Sequence, residues 1–86
     1  MTLEDYRSEI DSIDDCLAAL FRQRMAVAAK IAAYKKEHGL AVADAAREQQ
    51  KLEELRRKCP DFPEDITALY ETIFSLSRGY QSRLLG

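Results

Sequence analysis

Arg24 stands where the sequence pattern calls for an apolar residue. Leu3, Tyr6, Ile10, Ile13, Leu17, Leu20, Arg24, Val27, Ile31 and Tyr34 follow an unbroken 3-4 spacing, and Arg24 is the one charged side chain among them. Such spacing marks a helix-packing seam. A guanidinium buried there without a partner is costly, so an anion is expected beside it, unless the long side chain snorkels to water. Lys35 lies eleven residues further on. On a helix that is a rotation of only ~20° and an advance of about 16 Å. Two long cations on one face can converge on one small anionic ligand, although Lys35 taken alone reads as a solvated lysine near a helix end. Arg7 is about 25 Å from Arg24 and about 42 Å from Lys35 along the same rod. If Arg7 serves the same site, it must reach it from a partner subunit.

The second segment repeats the anomaly. Ala45, Glu48, Leu52, Leu55 and Cys59 form a 3-4 stripe that Glu48 interrupts, and Asp44 and Arg47 lie within a turn of it. An ordinary surface charge cluster at i,i+3 and i,i+4 spacing reads the same way. In the third segment Tyr70, Phe74, Ser77, Gln81 and Leu84 share a stripe. Ser77 and Gln81, four apart, need hydrogen-bond partners if buried. Together these stripes face a shared interior with three cations, an acid and two neutral hydrogen-bonding groups, a set suited to a small polar ligand carrying negative charge. No Ser-His-Asp or Cys-His set, no metal cluster and no glycine-rich phosphate loop is present, so neither metal nor cofactor is expected. An enzyme with this inventory works by positioning and electrostatics.

Three helices must position these groups. The 86 residues contain two prolines and three glycines, which favours an all-α fold. Breaks fall at Gly39-Leu40-Ala41-Val42-Ala43 and at Cys59-Pro60-Asp61-Phe62-Pro63. The pattern predicts a first helix from about Thr2 to His38, stopped by Gly39. A second should run from near Asp44, its cap, to about Lys58. A third should run from near Pro63 to about Leu84, with Asp61 as a possible cap. Gly79, inside that third helix, suggests a close helix contact. A 35-residue helix is roughly 50 Å long, whereas a compact domain of this size is about 30 Å across. The first helix should therefore project with its seam exposed, and a second chain is the simplest cover. The expected architecture is one domain, residues 1–86, in an intertwined helical homodimer.

Composition excludes several function classes. Nearly half the residues are hydrophobic, at 47%, and the net charge is −2, which argues against disorder and against nucleic acid as the partner. The acidic start MTLEDYRSEIDSIDD is not a secretory signal, and no apolar run is long enough to span a membrane. Cys16 and Cys59 are isolated and read as reduced thiols of a cytoplasmic protein. His38 has no ligand partner at helical spacing and marks a helix C-terminus.

The ordered set of segments resembles the all-helical chorismate mutases, the bacterial domain also found fused to prephenate dehydratase. The resemblance covers essentially the whole chain. It is carried by Arg7 in YRSEIDSID, Arg24 in Leu20-Phe21-Arg22-Gln23-Arg24, Lys35, the run Asp44-Ala45-Ala46-Arg47-Glu48 and the run Ser77-Arg78-Gly79-Tyr80-Gln81. It implies the Claisen rearrangement of chorismate, a dianion, to prephenate in phenylalanine and tyrosine biosynthesis, without cofactor. By resemblance, Arg24 and the partner subunit's Arg7 bind carboxylates, with Arg47 supporting that end. Lys35 and Gln81 hydrogen-bond the ether oxygen, Glu48 with Asp44 nearby holds the ring hydroxyl, and Ser77 assists a carboxylate. Two other readings compete: an isochorismate-pyruvate lyase on the same scaffold, and a non-catalytic helical dimerisation module whose seam charges set register.

Overall fold

The computed structural model describes residues 1–86 as three helices and no strand: α1 (Leu3–Glu37), α2 (Ala45–Lys58) and α3 (Pro63–Leu85). No helix is long and apolar enough to cross a membrane.

The start of α1 is closed by a capping box. The Asp5 backbone N–H donates to Thr2 Oγ1 at 3.2 Å, and the Thr2 backbone N–H donates to Asp5 Oδ2 at 2.7 Å. Two orphan donors are thereby satisfied. The hydrogen bond from the Thr2 backbone, then that from its hydroxyl, holds the Asp5 carboxyl below its ordinary value of 3.8. A folded-state value below the unfolded one means the stabilisation is present above the unfolded value and lost as pH falls through the depressed one. Acidification below about pH 4 should therefore fray this terminus. Circular dichroism should show a smaller acid loss of helicity in Asp5→Asn than in the wild type; equal losses would remove the cap from the account.

At its other end α1 closes in a Schellman turn. The Leu40 N–H donates to the Lys35 carbonyl at 2.8 Å and the Gly39 N–H to the Lys36 carbonyl at 3.3 Å. Gly39 carries φ +65°, the left-handed conformation such a turn needs. A Cβ at Gly39 would meet nothing within 4 Å, so the conformation alone requires glycine. Gly39→Ala should cost ~1–2 kcal/mol, read as a lower urea midpoint with an unchanged slope. Asp44 caps α2, its carboxylate accepting from the Arg47 backbone N–H at 3.0 Å.

The expected cap of α3 is different. The N-cap is Phe62 with no side-chain hydrogen bond, and Asp61 instead lies 4.0 Å from Cys59 Sγ. Pro63 at the helix start has no N–H to satisfy, so this terminus needs less capping. Arg56 Nε donates to Thr67 Oγ1 at 2.8 Å, and that hydroxyl donates to the Pro63 carbonyl at 2.7 Å, fastening the end of α2 to the start of α3.

α3 packs against both other helices, which do not pack on each other. The buried apolar set is Ala28 and Ala32 of α1, Leu52 of α2 and Phe74 of α3. Two alanines one turn apart let the α3 backbone come close. Most of the rest of α1 is open. Residues 1–23 are all exposed, and the apolar seam residues from Leu3 to Tyr34 keep 43% to 62% of their surface. Up to Leu20 the seam thus faces no interior of its own chain; beyond it the buried face is centred on Ala28 and Ala32. The radius of gyration is 16.0 Å and the longest extent 55 Å, against about 12 Å for a compact chain of this length. Gly79 makes no close contact either: a Cβ there would meet only the end of the Arg83 side chain at 4.0 Å.

Candidate active site

A cavity of about 500 Å³ opens between the C-terminal half of α1, the start of α2 and the second half of α3. Arg24, Lys35, Asp44, Arg47, Glu48, Ser77 and Gln81 all line it, and Val27, Ala28, Ile31, Val42 and Phe74 supply apolar wall. Seven of the eight residues singled out in the sequence are thus brought together. Arg7 is the exception. It sits in the exposed stretch of α1, with its guanidinium 3.0 Å from Glu4 Oε1 on its own helix.

Arg24 and Lys35 are each oriented by something other than an acid. No acid of the chain pairs with Arg24: the three ion pairs involve Arg7, Lys51 and Arg78. Half-buried, Arg24 lies instead over the Phe74 ring, 5.6 Å from its centroid. That ring is itself held edge-on by Tyr70 at 5.8 Å. An aromatic face attracts the guanidinium without consuming its charge. Lys35 is half-buried rather than solvated, and its ammonium donates to the Val42 carbonyl at 2.7 Å. This contact uses one of its three donors. The Schellman turn that returns the chain past Lys35 is what brings Val42 within reach. Arg47 completes a group of three lining cations without an ion-pair partner.

Two lining cations escaped the stripe reading. Lys51 stands on α2 beside Glu54, 3.2 Å away. That hydrogen bond and the ammonium charge hold the Glu54 carboxyl below its usual value. The signal for Lys51 was its spacing, one turn beyond Arg47 and Glu48. Arg78 reaches from α3 to Glu48 on α2 at 2.5 Å. Nothing in the local sequence announces a contact thirty residues distant. Five cations and two carboxylates therefore line one cavity in a chain whose net charge is −2. Such clustering behind low-dielectric walls focuses positive potential on an anion.

Ser77 and Gln81 are buried and bonded to each other, Gln81 Nε2 donating to Ser77 Oγ at 3.0 Å. Gln81 Oε1 is buried with no partner. Leaving a buried amide oxygen unpaired costs about 1–3 kcal/mol. The serine hydroxyl both donates and accepts. Rotation of the carboxamide would let Oε1 accept from it and free Nε2 to donate elsewhere.

This architecture defines a small all-helical protein that gathers unpaired cations and a neutral amide around one cavity, with no nucleophile-base set. The chain belongs to the chorismate mutase type II family, whose family model matches residues 6–82. Members are isomerases that convert chorismate to prephenate, a step of aromatic amino acid biosynthesis. Among curated proteins and solved structures, none matches the chain.

Proposed function

We propose that residues 1–86 act as one mutase domain that rearranges chorismate to prephenate in a cavity completed by a second copy of the chain. The observation that carries this reading is the trio Arg24, Lys35 and Arg47, which line the cavity with no acid paired to any of them. Unpaired cations at a cavity wall call for an anion from outside, and chorismate brings two carboxylates.

The rearrangement is unimolecular. One C–O bond breaks as one C–C bond forms, and no proton, nucleophile or cofactor takes part. What the protein must supply is a folded-over reactive conformer and donors at the ether oxygen, where negative charge gathers. Arg24, supported by Arg47, binds one carboxylate, and Ser77 assists. Lys35 and the turned Gln81 amide donate to the ether oxygen, while Glu48 with Asp44 receives the ring hydroxyl. Donors that strengthen as charge develops lower the barrier selectively. Arg7 of the partner subunit closes the site. The exposed α1 seam supports this arrangement, because an apolar stripe of that length is a face for another chain. The protein is expected in the cytoplasm.

The direct test mixes purified protein with chorismate and follows its loss together with prephenate formation. No acceleration over the spontaneous reaction overturns the proposal. Salicylate with pyruvate as products would assign the lyase activity instead.

A further inference from the structure

Glu48 and Arg78 make the chain's one ion pair between different helices; the other two, Glu4–Arg7 and Lys51–Glu54, are i,i+3 neighbours. Arg78 Nη1 meets Glu48 Oε1, and both side chains are only part-exposed, at 39% and 26%. Both line the cavity. The contact is monodentate, so Glu48 Oε2 is left to accept another hydrogen bond. The pair also borders a second hollow of about 440 Å³, together with Arg56 and Glu71. Arg78 is therefore not wedged against Glu48 by core packing, and charge holds the two together.

We propose that Arg78 is a positioning residue for Glu48. Resting on the mutase reading, in which Glu48 takes the ring hydroxyl, the assignment gives Arg78 two tasks. It fixes a flexible carboxylate so that Oε2 is offered to the hydroxyl. It also cancels a negative charge that would otherwise repel a dianion entering the same cavity. An acid is useful there only if its charge is neutralised by a group other than the substrate, and a residue of α3 can do that for a residue of α2.

The test is a double-mutant cycle on chorismate kinetics with wild type, Arg78→Met, Glu48→Gln and the double variant, plus Arg78→Lys. The hydroxyl is held equally in ground and transition states, so Arg78→Met should raise KM about 10-fold and change kcat less than about 3-fold. Arg78→Lys, which keeps the charge, should recover most of that loss. In the Glu48→Gln background, Arg78→Met should change KM less than about 2-fold. An equal KM effect in both backgrounds overturns the proposal, because Arg78 would then act on the substrate or on the fold. An unchanged KM in Arg78→Met overturns it as well. Should Arg78→Met fail to fold by circular dichroism, Arg78→Gln reads the same coupling. A wild type that leaves chorismate unchanged overturns the mutase reading, and this inference with it, before any variant is compared.

Discussion

Lys35→Ala should lower kcat for chorismate by roughly 10²- to 10³-fold, the loss that follows removal of one donor aimed at a developing oxyanion. Its ammonium is already held by Val42, with two N–H groups left for a ligand. A preorganised charge of this kind needs no rearrangement as the C–O bond lengthens. The companion experiment concerns Gln81, which is uncharged at ordinary pH. The wild-type rate should therefore stay level through neutrality, and a sharp drop between about pH 6 and pH 8 would exclude Gln81 as the essential donor. Gln81→Glu should convert that plateau into a slope. A protonated carboxyl still donates to the ether oxygen, whereas an ionised one places negative charge against negative charge. Activity of this variant should fall as pH rises through its ionisation. Initial rates across a pH series, with circular dichroism confirming the fold, decide both points. A Lys35→Ala enzyme within about tenfold of wild type would remove Lys35 from the chemistry.

Arg7→Ala and Arg24→Ala should each be nearly inactive alone, yet active when mixed. In the proposed dimer each cavity takes Arg24 from one chain and Arg7 from the other. A heterodimer of the two variants then carries one cavity with both changes and one with neither. Random exchange makes half the dimers mixed, so about a quarter of wild-type activity should return. The exchange must be driven by unfolding and refolding the mixture, with light scattering to count subunits. No recovery from a mixture shown to contain heterodimers would place Arg7 outside the site. So would wild-type activity in Arg7→Ala. The requirement for a second chain follows from distance, because Arg7 is about 25 Å of helix from Arg24. It does not depend on where the Arg7 side chain rests, which in the isolated chain is against Glu4.

The three helices were legible because their ends are written locally. Thr2 with Asp5, Gly39, Asp44 and Pro63 each act within four residues of where they stand. Asp61 misled for the same reason: a capping residue type near a start is no cap when proline has already removed the need. The long-range features were harder. Periodicity showed that α1 has an apolar face but not whether α3 or another chain lies against it. The side actually buried is marked by two alanines that a hydrophobic pattern hardly distinguishes. For Arg24 the cost of burial was legible but the Phe74 face beneath it was not, because that ring belongs to α3, fifty residues away. Arg78 neighbours Ser77 in sequence and lies about 100° round the helix from the Tyr70–Leu84 stripe, so periodicity assigns it no role. Its role exists only once α2 and α3 are side by side.

The bare first half of α1 has a consequence for how this protein should be handled. A helix with no tertiary support along residues 1–23 has little beyond its own hydrogen bonds to hold it. If another copy supplies that support, folding and assembly are one equilibrium, and the melting temperature becomes a function of protein concentration. Catalytic rate per chain would then decline on dilution. An assay run at the low enzyme concentrations that suit a fast reaction would under-report an enzyme that is fully competent when concentrated.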